Sequence, residues 1–202
     1  LKYVFTTTSA NFGNMFSMAG ASFFLPFLPL LAKQILLNNF LSDLPSVAIS
    51  TDRVDARLQR HATRWNLKEV RRFMLAFGLI SSAFDLLAFA LLLHVFHAGE
   101  ALFHSGWFVI SLLTELAVVL VLRTRGAAWK SRPSTLLWTT TVAVAVLAIA
   151  LPFIGPAARV FGFVPMPASM VALLIGLTLA YVAATEAAKH WFWRRHAALH
   201  AR

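Results

Sequence analysis

Six apolar segments, each long enough to cross a bilayer, take up most of this chain and leave it essentially one kind of fold. They run approximately over residues 3–25, 29–50, 67–97, 102–123, 134–154 and 167–193. Each is near the ~20 residues that a hydrocarbon core of about 30 Å requires. In lipid, only helices and closed barrels satisfy their own backbone groups, and runs of this length read as helices. With 59% hydrophobic residues, 13% charged residues and a mean hydropathy of +0.72, the chain is expected to be an all-α membrane protein. The expected architecture is a bundle of six transmembrane helices.

The charges orient that bundle. Lys and Arg concentrate from Arg53 to Arg72, from Arg123 to Arg132 and from Lys189 to Arg202. The alternate connections are nearly bare: none lies between Leu25 and Leu28, Glu100 stands alone beside Gly99, and Arg159 alone between Pro152 and Pro165. This is the positive-inside pattern, and with an even number of spans it puts both termini in the cytoplasm. The net charge of +10 is therefore a topology signal, and nucleic acid is not an expected partner. The lipid bilayer is. The chain has no cysteine, which excludes disulfides and thiolate metal sites. Trp65, Trp107, Trp129, Trp138, Trp191 and Trp193 fall near expected span ends, where amphipathic rings sit at headgroup level. The first residues, Leu1-Lys2-Tyr3-Val4, lack a secretory-signal pattern and a starting Met. Residues 1–202 are accordingly read as one membrane domain of a longer protein.

Polar residues interrupt the first two spans. The first carries Asn11-Phe12-Gly13-Asn14 and the second Asn38-Asn39-Phe40-Leu41-Ser42-Asp43-Leu44-Pro45. A carboxylate at mid-bilayer costs roughly 2.5–3.5 kcal/mol on insertion scales, and intramembrane acids are functional by default. Asn39 and Asp43 are spaced i,i+4 and share a helix face. Pro45 cannot donate to the carbonyl of Leu41, so the helix is expected to loosen there and release one or two backbone oxygens. Ser9, Gly13, Ser17 and Ala21 form a small-residue ridge on the first helix that permits close approach, flanked by Asn11 and Asn14. The Pro26-Phe27-Leu28-Pro29 turn makes the two helices antiparallel neighbours. Asn14, Asn39 and Asp43 would then offer two neutral oxygens and one charge, a set that suits Mg²⁺. The bland reading is that the amides and Asp43 bond only to one another across helices, at about 0.6–2 kcal/mol per contact.

Other polar residues are weighed the same way. Glu115, within the fourth span, is either a ligand or proton site or the partner of a buried donor. Asp85, after Ser81-Ser82, fits local hydrogen bonding better than cation binding. Glu186 reads as an ordinary i,i+3 pair with Lys189. His94, His97 and His104 match no strong metal spacing, and Lys33 can snorkel to the interface. The polar connection from Thr51 to Asn66 is either a solvated loop or a docking surface, with Asn66 and Glu69 as a capping box for the third helix.

Several stretches together resemble the magnesium-transporting P-type ATPases of bacteria. They are Thr8-Ser9-Ala10-Asn11-Phe12-Gly13-Asn14-Met15-Phe16-Ser17, the turn Phe24-Leu25-Pro26-Phe27-Leu28-Pro29, and Leu36-Leu37-Asn38-Asn39-Phe40-Leu41-Ser42-Asp43. Arg64-Trp65, Arg71-Arg72-Phe73-Met74, Ser81-Ser82-Ala83-Phe84-Asp85, Ser105-Gly106-Trp107-Phe108 and Leu122-Arg123-Thr124 continue the match in order. The resemblance implies that these are transmembrane helices five to ten of the pump, in the bacterial inner membrane. It carries the family's magnesium ligands onto Asn14, Asn39 and Asp43. Ile110 stands where many relatives have an acid, Glu115 where some have an amide, and Asn66 in place of a usual Asp.

The family's phosphorylated Asp motif and nucleotide-binding segments are not in this sequence. The resemblance thus implies the transport half of an ATP-driven Mg²⁺ importer, a translocase that reaches ATP only through its other parts. Phosphorylation elsewhere would tilt the first helix and alter the site. The competing expectations are a stand-alone six-helix channel or secondary transporter, and a pump of the same type for Ca²⁺ or H⁺.

Overall fold

A computed structural model describes residues 2–52, 67–124 and 126–200, and among these every regular element is helical. The helices are α1 (Lys2–Ala21), α2 (Ala32–Ala48), α3 (Leu67–His94), α4 (Glu100–Leu122), α5 (Thr135–Ala150), α6 (Gly155–Phe161) and α7 (Ala168–His200). Single 3₁₀ turns follow α2 at Ile49–Thr51, precede α5 at Ala128–Lys130 and extend α5 at Leu151–Phe153. Six of these helices overlap the expected segments, α1 and α4 beginning just before theirs and α7 extending past the last to His200. The seventh, α6, is a short extra: Pro156 starts it and Gly162, in the left-handed region at φ 76°, ends it. The expected loop between Thr51 and Asn66, its capping box with Glu69, and Trp65 lie outside the described residues or side chains.

Among the described residues, four helices are long and apolar enough to cross a membrane: α3, α4, α5 with its 3₁₀ extension, and α7. The two that carry the amides fall short by length or composition. α2 has 17 residues, and the 20 of α1 include Thr6, Thr7, Thr8, Ser9, Asn11, Asn14 and Ser17.

α4 is the axle of the bundle. Its most apolar stretch is 94% buried, against 28–44% in the other three candidate spans. Apolarity on every side is what a helix surrounded by helices needs. Phe103, Phe108 and Leu112 are fully covered, with Leu92 of α3 and Met170 and Leu174 of α7 closing the core around them. Trp107 is in that core, 1% exposed and edge-on to Phe89 at 4.8 Å, so it is not the interfacial ring its position suggested. Trp129, Trp138 and Trp191 are exposed.

α1 lies mainly on α3, whereas α2 lies mainly on α4 and α5. The ridge of Ser9, Gly13, Ser17 and Ala21 is buried against α3, not α2. A methyl added at Gly13 would sit 2.8 Å from Cβ of Ser81, and the Ser82 hydroxyl donates to the Gly13 carbonyl at 3.1 Å. The connection between α1 and α2 is also longer than four residues, running from 22 to 31. His104 of α4 holds it at the Leu28 carbonyl, 2.6 Å away. With α1 and α2 committed to different neighbours, a space opens between them.

Candidate functional site: a polar cavity between three helices

α2 is positioned by a stripe of buried residues: Gln34, Asn38, Leu41, Pro45 and Ala48. Their spacing of three and four residues keeps them on one face. Gln34 fixes the start of the helix, accepting from its own Leu31 N–H at 2.9 Å and donating to the Phe161 carbonyl at 3.0 Å. The helix then runs through Pro45 without a break to Ala48, so the expected unwinding does not occur. Pro45 does deprive the Leu41 carbonyl of its helical donor. Burial of that face and the bonds on either side keep the turn closed: Ser46 Oγ donates to Ser42 O at 2.8 Å, and Ile49 N–H to Pro45 O.

Between α1, α2 and α4 lies a cavity of about 390 Å³. At roughly 30 Å³ per water, that is room for about a dozen. α1 lines it with Asn11 and Asn14, α2 with Asn38, Asn39, Ser42 and Asp43, and α4 with Ser111 and Glu115. All five polar residues singled out from the sequence as ligands or cation-path residues thus border one space. They differ in depth. Asn11, Asn39 and Asp43 are on its open side, Asn14 is half-buried, and Glu115 is 5% exposed.

Glu115 organises the inner wall. Its Oε1 accepts from the side-chain amides of both Asn14 and Asn38, the latter at 3.1 Å. Three helices are therefore joined at one carboxylate oxygen, and the buried-donor reading of Glu115 is the one its contacts display. Asn38 was passed over in the sequence in favour of Asn39, which shares a face with Asp43. Neighbouring helical residues point about 100° apart, so only one of two adjacent amides can face inward. The three-and-four rhythm of Gln34, Asn38, Leu41 and Pro45 is the signal that would have picked Asn38.

Among the described residues, no basic side chain lines this cavity. Lys33 is exposed and reaches the Val160 carbonyl at 2.6 Å. Among the described residues, no three His, Cys, Asp or Glu side chains form a metal-holding group. The cavity's donors to a cation are amide, hydroxyl and carboxylate oxygens. That set fits a hard ion that keeps much of its own water, such as Mg²⁺, better than a transition metal.

The other buried acids among the described residues are accounted for locally. Asp85, 1% exposed, accepts from Ser17 Oγ at 2.6 Å. Glu186 does pair with Lys189 at 2.8 Å, but this is no surface pair, since Lys189 is wholly buried and also donates to the Val121 carbonyl at 2.9 Å. Glu186 further accepts from Ala128 N–H at 3.1 Å. At the same end of the bundle, Arg123 and Asp52 are both buried and 3.1 Å apart, and Arg123 also donates to the Ser131 carbonyl.

A family model described as cation transporting ATPase, C-terminus, matches residues 27–191. Among curated proteins, the chain is 42% identical over 201 residues to the magnesium-transporting ATPase, P-type 1, of Escherichia coli (strain K12). It is 41% identical over 201 residues to the protein of that name in Salmonella typhimurium (strain LT2), and 36% identical over 200 residues to another so named there. These matches cover 96–97% of the chain but 22% of each relative, so the chain spans about a fifth of the length of the relatives it matches.

Proposed function

The chain belongs to the cation-transporting ATPase C-terminal family, and from that premise we propose that it is the transport half of an ATP-driven Mg²⁺ importer. The observation that carries the reading is the cavity: Asn14, Asn39 and Asp43 border one polar space with Glu115, and among the described residues no basic one lines it. Residues 1–202 form a single multi-pass domain of six transmembrane helices in the bacterial inner membrane, with both termini in the cytoplasm. α1 and α2 make up the six although they are short and polar, because their polar faces border the cation path and not lipid.

Mg²⁺ is the cargo. Asp43 supplies charge at the open side of the cavity, and Asn14 and Asn39 supply neutral oxygens that replace part of the ion's water. Pro45 leaves the Leu41 carbonyl without a helical donor, and Asn11 extends the polar path along α1. ATP is hydrolysed by other parts of the same pump, which also complete the site. α1 is suited to carry their motion inward. Asn14 ties it to the inner wall at Glu115, so tilting it would separate the two and reshape the cavity.

Asp43→Asn in the full-length pump tests this. The substitution removes the charge and keeps the shape. It should abolish Mg²⁺-dependent growth rescue of a cell lacking other Mg²⁺ uptake, at unchanged amounts of protein in the membrane. Undiminished rescue would remove Asp43 from the site.

A further inference from the structure

Two side-chain oxygens of residues lining the cavity are buried without a hydrogen-bond partner, Thr7 Oγ1 and Asn38 Oδ1, and only the second is purely an acceptor. Asn38 is 3% exposed, and its amide nitrogen is held by Glu115 Oε1 at 3.1 Å. A carboxylate oxygen only accepts, so the nitrogen is the end of the amide that faces it. Its oxygen, Oδ1, is thereby turned away from Glu115, is buried, and accepts no hydrogen bond. A buried acceptor without a donor costs about 1–3 kcal/mol, and polar groups left in that condition call for an explanation. Asn38 lies in the wall of the cavity that also holds Asn39, Ser42 and Asp43 from the same helix.

We infer that Asn38 is a further cation-site residue, whose Oδ1 binds the hydrated divalent ion by accepting a hydrogen bond from one of its waters. Glu115 is then a positioning residue, acting through Asn38: it fixes which way the amide points. The inference rests on the cavity being the cation site. A cation-bound water is a strong donor and the cavity has the volume to admit it, so the same ion that neutralises Asp43 satisfies Asn38.

The test is uptake of Mg²⁺ into liposomes reconstituted with the full-length pump, across a Mg²⁺ series, for three variants. Asn38→Leu keeps the side chain's outline and removes the oxygen; the half-saturating Mg²⁺ concentration should rise about tenfold or more. Asn38→Asp keeps the oxygen and removes the donor to Glu115; its half-saturation should stay within a few-fold of the parent. A purely structural role through the Glu115 bond predicts that Leu and Asp are equally impaired, and that result overturns the inference. So does unaltered half-saturation in Asn38→Leu. Asp43→Asn serves as the reference. If it transports normally, the cavity reading fails and the Asn38 inference with it; if it is inactive while Asn38→Leu is normal, only the Asn38 inference fails.

Discussion

Near the end of α4, Arg123 and Asp52 are both buried and 3.1 Å apart. Eight residues earlier, about 12 Å along the same helix, Glu115 is nearly as buried and has neutral partners, the amides of Asn14 and Asn38 and the hydroxyl of Ser42. Lys189 and Glu186 repeat the first arrangement beside Arg123's end of the bundle. Asp43, on the open side of the cavity, likewise has no basic side chain among the described residues lining that space. Burying a charge is tolerated when its counter-charge is built into the fold, and the outer clusters are built that way. The cavity leaves its counter-charge to be supplied. A bundle able to place buried Arg and Lys beside acids in one region, and omitting them in another, has room there for a cation that comes and goes.

The sharpest way to break the comparison is to give the cavity a tethered cation of its own. Asn39→Lys, on the open side, should place an ammonium near Asp43 and reduce Mg²⁺ uptake by the full-length pump at least 100-fold. The amount of folded pump in the membrane should stay the same. The reverse operation is to remove a counter-charge from the built pair. Arg123→Ala removes the guanidinium 3.1 Å from buried Asp52 and should cost about 3–5 kcal/mol, measured as a lowered denaturation midpoint in detergent. The double variant Asp52→Asn with Arg123→Met should recover most of that loss, because no lone charge remains.

Smaller effects separate packing from charge. At Gly13 a new side chain meets Ser81 at once, so Gly13→Val should force α1 from α3 and cost about 1–3 kcal/mol. Gly20→Ala, on the same helix, meets nothing within 4 Å and should leave the unfolding midpoint unchanged or slightly raised. Lys33→Met should have the least effect, within about 0.5 kcal/mol, since it loses one exposed bond to Val160. Thermal unfolding of the purified pump checks all three.

Much of this was legible from the residues. Apolar length located the helices, because a span must be long and continuous to satisfy its backbone in lipid. α6 escaped, being too short to carry a periodic signal, although Pro156 and Gly162 mark its two ends. The residues bordering the cavity were legible because polar groups in apolar helices are costly wherever they stand. Their partners were not. The Gly13 ridge advertises close packing without saying against which helix, and it met α3. Trp107 carries the same signal as an interfacial Trp until α4 is known to be surrounded. Asn38 and Asn39 are chemically identical, and only the helical phase set by Gln34, Leu41 and Pro45 distinguishes the inward one. The proline rule identified the carbonyl that loses its donor, at Leu41, and overestimated the consequence, because packing on that face holds the turn.

The central claim is that the counter-charge missing from the cavity is the transported ion. The most direct measurement is anomalous scattering from crystals of the full-length pump soaked with Mn²⁺, an oxygen-seeking substitute for Mg²⁺. A peak is expected inside the cavity bounded by Asn14, Asn39 and Asp43. A peak elsewhere in the membrane region, with none between those three residues, would contradict it.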